Sequence, residues 1–178
     1  MMLRFASYVT GAAILAAAAA GPSAQSPEGP ARAASCTTLK GRTFGDATVA
    51  DAIAVPAGSL KISDSVTFAS VPSFCRVQGV SKPSADSSIN FEVWLPDAAA
   101  WNRKFLSTGE GGFAGQLNYQ RNGPDSAMDE NLRRGYATAS TDTGHVASEQ
   151  WWAIGHPEKI TDYLYRAKHV TTVAAKAI

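Results

Sequence analysis

Apolar and polar positions alternate most cleanly across Ser87–Leu95. There Ile89, Phe91, Val93 and Leu95 fall on one side and Asn90, Glu92 and Trp94 on the other. A period of two predicts a strand, which Pro96 ends. Phe74–Val80 alternates in the same way, and Lys104–Ser107 is a short apolar strand. Ala47–Val55 lacks that alternation and is expected to form a short amphipathic turn before Pro56-Ala57-Gly58 breaks it. Asp125–Arg134 is expected to be a helix, with Asp125 or Ser126 as the candidate cap, Met128 and Leu132 on one face, and Gly135 as the stop. Tyr136–Ser140 is predicted as a strand ending in the polar loop Thr141–His145. Pro157 then opens a long helix whose apolar stripe is predicted to be Ile160, Leu164, Ala167, Val170, Val173/Ala174 and Ala177.

The resulting order is antiparallel-looking strands followed by strand–loop–helix–strand–loop–helix. The second half is the alternation of an α/β protein with a central, mostly parallel sheet. The last helical pattern runs into Ile178 without a Gly, Asn or Pro stop. A further strand is expected to follow it, so the pattern reads as the front part of a larger fold.

Composition changes the picture at the N-terminus. Met1–Arg4 is basic, Phe5–Ala20 is an Ala-rich apolar run, and small residues follow through Gly21, Ser23 and Ala24. These are the parts of a secretory signal peptide over residues 1–24, with cleavage expected after Ala24 and Ala20 as the alternative. The apolar run is shorter than the roughly 20 residues of a membrane span, and no later stretch reaches that length. Residues 25–35 are small, polar and Pro-containing, and read as a flexible tail ahead of a domain over 36–178. The whole chain holds 16 Lys+Arg against 15 Asp+Glu, and removal of Arg4 balances them. A neutral chain with no basic run has little attraction for nucleic acid or an anionic membrane surface, which excludes those partners.

Export also sets how Cys36 and Cys75 are read. They are the only cysteines, and an oxidising compartment favours a disulfide between them, with two free thiols as the alternative. A metal site would need further ligands, and His145, His156 and His169 lie far downstream with no ligand spacing. No cofactor is therefore expected.

Candidate chemistry gathers around Thr108–Gly115, a glycine-rich loop at the end of a strand. Gly109-x-Gly111-x-x-Ala114 matches a dinucleotide fingerprint in form, but Gln116–Pro124 has no helical stripe to carry a pyrophosphate, and that reading is rejected. The remaining readings are an oxyanion hole, in which the glycines allow close approach of backbone N–H groups, or a tight structural turn. No G-x-S-x-G nucleophile elbow occurs in residues 1–178. Among the imidazoles, His145 is best placed, because active sites of open α/β sheets collect at strand carboxyl ends. A hydrogen bond between Asp142 and His145 that holds the loop is the simpler role for both. His156 reads as a cap or surface residue, His169 as a solvated or packing residue, and Trp151-Trp152 as a pocket wall or a cover over the core.

These residues also carry a resemblance. Phe74-Cys75-Arg76-Val77, Phe91-Glu92-Val93-Trp94-Leu95-Pro96, Trp101-Asn102-x-Lys104-Phe105 and Gly109-x-Gly111-Gly112-Phe113-x-Gly115 occur in order. Gly135-Tyr136-Ala137-x-Ala139-Ser140-Thr141-Asp142-Thr143-Gly144-His145, His156-Pro157-Glu158-Lys159-Ile160 and Arg166-Ala167-x-His169 follow. Together they resemble the tannase/feruloyl esterase family. The resemblance implies a partial α/β-hydrolase fold that ends before the nucleophile strand, and a secreted or periplasmic serine esterase acting on gallate- or hydroxycinnamate-type aromatic esters. It implies a Cys36–Cys75 bridge and carries over only Gly111 and Gly112, since the family's Ser, Asp and His come later. At position 103 the family usually has Gly, and Arg103 suggests that the turn there is not strictly required. An exported, non-catalytic binding module built from the same front end is the alternative function.

Overall fold

The computed structural model describes residues 35–109, 111–120 and 127–178. The expected signal peptide, the tail up to residue 34, and the candidate caps Asp125 and Ser126 lie outside the described residues.

Six strands form the central sheet: β1 (Thr43–Phe44), β2 (Ala47–Val55), β5 (Phe74–Ser81), β6 (Ile89–Pro96), β7 (Phe105–Ser107) and β8 (Ala137–Thr141). Between β2 and β5, β3 (Gly58–Lys61) and β4 (Thr67–Val71) pair as a separate antiparallel hairpin that the alternation did not predict. The central order is β1-β2-β5-β6-β8-β7. Its pairs are antiparallel except β7–β8, so the expected mostly parallel sheet is confined to that last pair. Helix α1 (Met128–Arg133) connects β7 to β8. After β8 come α2 (Pro157–Thr161), a π-helical turn (Asp162–Arg166) and α3 (Ala167–Ala177) in unbroken succession.

The period of two in β6 sorts its side chains between two cores. Phe91 and Val93 join Val49, Ala52, Val77 and Ala139 beneath Ala174 and Ala175 of α3. Trp94 faces the other way, with Phe74, Val55, Phe68 and Val71 of the hairpin and Met128 and Leu132 of α1. The sheet is thus a middle layer covered on both sides. The disulfide Cys36–Cys75, with Cα atoms 5.7 Å apart, ties the chain ahead of β1 to β5 on the α3 side.

Three local expectations need correction. Ala47–Val55 is a strand, not a turn: its register with β5 shifts between Val49 and Asp51, so burial falls at Ala47, Val49, Ala52 and Val55. A bulge advances the inward face by one residue, and the resulting spacing resembles a helix. The final helix also departs from its predicted stripe. Its buried residues are Asp162, Ala167, Thr171, Ala174 and Ala175, whereas Ile160, Leu164 and Val173 are exposed. The π turn adds one residue to a helical turn and rotates the upstream face outward. Finally, the turn at Arg103 is kept: the residue holds φ +64° while Asn102 ties its own N–H to Gly135 O and its amide to Arg134 O.

Candidate active site

The parallel pair places two loops side by side at its carboxyl end. The loop after β7 starts from Thr108, whose N–H and hydroxyl both donate to Ala139 O of β8. It returns at Asn118, which donates its side-chain amide to Gly109 O and its backbone N–H to the Ser140 hydroxyl. Between these anchors the chain turns through Gly111, Gly112 and Ala114, with φ +23°, +62° and +52°. Gly115 closes the turn against the second loop at Ala147: a Cβ there would lie 2.4 Å from Ala147 N, so only glycine permits the contact.

The second loop follows β8. Asp142 is buried, and its carboxylate accepts from the Asn90 N–H at 3.0 Å, the Asn90 side chain at 2.6 Å and the Gly144 N–H at 2.8 Å. Burial pushes its carboxyl above the ordinary range, and these hydrogen bonds pull it part of the way back. His145 does not bond to Asp142, contrary to expectation. Its Nε2 donates to Phe113 O at 2.9 Å, its Nδ1 lies 3.3 Å from the Thr143 hydroxyl, and its ring stacks on Trp152 at 4.0 Å. The two residues hold the same loop through separate partners, because Asn90 of β6 already occupies the carboxylate. Thr143, a β-branched residue, sits at φ +60° between them, an uncommon and costly conformation.

A third wall comes from the π turn and the start of α3. Tyr163 donates its hydroxyl to Gly112 O at 3.0 Å, and Lys168 donates to Thr108 O. Gly111, Gly112, Ala114, Thr143, Tyr163, Leu164 and Lys168 enclose an open cleft of about 350 Å³. Gly111 and Gly112 therefore line the cleft and His145 bonds their turn at Phe113 O, whereas Asp142 holds the second loop from behind through Asn90 and Gly144. His156 is elsewhere, at the start of α2 and 3.0 Å from the Asp86 carboxylate, and His169 is exposed. Trp152 covers His145 while Trp151 is exposed, so the pair divides its roles. Among the described residues no group of three or more His, Cys, Asp and Glu forms a metal site.

Sequence reasoning missed Tyr163 and Lys168, which lay on a helix whose face the π turn changes. It also missed the polar centre behind the sheet. Glu92, 1% exposed, accepts from Arg76 Nε and Nη2, Gln78, the Trp94 indole and the Tyr119 hydroxyl. Burial, with the Glu92 charge, pushes the Tyr119 phenol well above its ordinary value.

The family model for tannase and feruloyl esterase matches residues 75–178. An uncharacterized esterase of Xanthomonas campestris pv. campestris is 42% identical over 147 residues, which is 82% of this chain and 24% of the relative. A probable feruloyl esterase B-1 of Aspergillus fumigatus is 35% identical over 105 residues, 59% of this chain and 18% of the relative. The crystal structure of feruloyl esterase B from Aspergillus oryzae superposes with a TM-score of 0.70 at 30% identity, over 82% of this chain and 28% of that one. The chain thus spans a quarter or less of the curated relatives' length, and the stretch that matches the family model includes both loops of the cleft. By sequence and by fold, it belongs to the tannase and feruloyl esterase family.

Proposed function

We propose that these residues form the oxyanion-side front of an exported serine carboxylic-ester hydrolase for aromatic esters of the gallate or hydroxycinnamate type. The observation that carries this is the glycine-rich turn at the carboxyl end of β7, where it lines a cleft. In such a reaction a serine attacks the ester carbonyl, and the negative charge that develops on oxygen needs preset N–H donors. Gly111 and Gly112 are suited to that because no side chain keeps the backbone from the reacting oxygen. The family relationship supports the ester chemistry, and the similarity to fungal feruloyl esterases supports the aromatic acyl group.

The nucleophile, acid and base of the triad are not among residues 1–178, so the 178-residue polypeptide on its own is expected to give neither a burst nor steady hydrolysis of methyl ferulate or methyl gallate. Activity is expected when residues 36–178 replace the matching part of the Xanthomonas campestris relative. That chimera should cleave methyl ferulate or methyl gallate faster than methyl butyrate. Turnover by the isolated chain, or a folded chimera that prefers the aliphatic ester, would contradict the proposal.

A further inference from the structure

We infer that His145 and Tyr163 are positioning residues that set the direction of the N–H dipoles in the glycine-rich turn by gripping its carbonyl oxygens. The inference deepens the oxyanion reading above and rests on it for its catalytic meaning.

Three consecutive peptide planes carry the turn, and each has its carbonyl engaged by a different partner. Gly111 O accepts from Ala114 N at 3.3 Å, Gly112 O from the Tyr163 hydroxyl at 3.0 Å, and Phe113 O from His145 Nε2 at 2.9 Å. A trans peptide is planar, with its C=O and N–H pointing in opposite directions, so fixing one end fixes the other. The Gly111 carbonyl therefore sets the Gly112 N–H, Tyr163 sets the Phe113 N–H, and His145 sets the Ala114 N–H. The last of these is spent within the turn on Gly111 O. The two dipoles that the grip aims are those of Gly112 and Phe113, one residue further along than the Gly111/Gly112 assignment made from the motif.

The two grips come from separate elements, the β8 loop and the π turn, and their rings brace one another. His145 and Tyr163 lie 5.6 Å apart edge to face, and Trp152 packs against both, at 4.0 and 5.4 Å. A turn with four positive φ values, three of them at glycine, has little local preference for a single shape. Bonds from outside supply what its own sequence does not, as a preorganised oxyanion site requires.

The test uses the full chain labelled with ¹³C and ¹⁵N. Tyr163→Phe removes one hydroxyl and keeps the ring. It should move the Gly112 carbonyl carbon resonance upfield, while β5 and β6 amides keep their wild-type exchange rates. His145→Ala should do the same to the Phe113 carbonyl, and His145→Gln, whose amide can replace Nε2–H, should restore it. Either carbonyl keeping its wild-type resonance in its own variant would overturn the grip. Should His145→Ala not fold, Tyr163→Phe and His145→Gln decide alone, Gln being expected to keep the Phe113 resonance in place. A folded chimera that hydrolyses neither the aromatic nor the aliphatic ester while these resonances still move would remove the oxyanion reading and leave the grip standing.

Discussion

Two residues at the turn before β7 and the loop bonded to it hold a left-handed backbone for different reasons. Gly135, at φ +79°, closes α1, and a Cβ there would come within 2.6 Å of Ala100 O. Arg103 holds φ +64° despite its Cβ, in a conformation that costs a non-glycine residue about 1–2 kcal/mol. Part of that gain is lost to the greater freedom of glycine in the unfolded chain. Arg103→Gly is therefore expected to raise the unfolding free energy by about 0.5–1 kcal/mol, read as a higher urea midpoint at unchanged slope. Glu92 is the opposite case, a buried charge satisfied by five donors. Glu92→Gln leaves the half-buried Arg76 guanidinium without its counter-charge and should cost about 3–5 kcal/mol. Tyr119 adds a pH dependence. Its phenol is raised in the folded state, so above pH about 10 the unfolded chain gives up that proton first and stability falls as pH rises. Urea midpoints between pH 8 and 11 should decline less steeply in Tyr119→Phe than in the wild type.

At the scale of elements, legibility followed regularity. β6 was plain because apolar residues recur at every second position from Ile89 to Leu95. β2 was not, because one bulged residue near Ala50 changes the phase of the pattern midway. The glycine-rich loop and His145 could be placed from strand ends alone, whereas Tyr163 could not, since its direction depends on a π turn that no spacing rule marks. Glu92 was assigned to the side of β6 opposite the apolar residues, yet Tyr119 and Arg76 come from distant parts of the chain to bury it there. The same π turn makes a prediction. Leu164, 68% exposed, should tolerate Gln within about 0.5 kcal/mol, whereas Ala174→Leu, forced against Val77 and Phe91, should cost about 1–3 kcal/mol. Thermal unfolding of the two variants separates the observed face from the one the periodicity proposed.

The molecule as a whole is a sheet with unlike sides. One side is a core of mostly small aliphatic residues around Phe91, closed by α3 and fastened by the disulfide. The other mixes an aromatic core with the Glu92 centre and is closed by α1 and the β3–β4 hairpin. A bridge spanning 39 residues of sequence stabilises by about 4 kcal/mol on the chain-entropy account, so dithiothreitol should lower the unfolding free energy by that order. The two sides also tolerate change differently, and β6 belongs to both. In a saturation library of Ile89–Pro96, positions 91 and 93 should accept several aliphatic or aromatic replacements of similar volume, because space-filling is all they provide. Positions 92 and 94 should accept almost none, because every substitute breaks a bond that a residue elsewhere depends on. Survivors should therefore alternate along the strand in kind rather than in number: size decides at one position, and a single identity at the next.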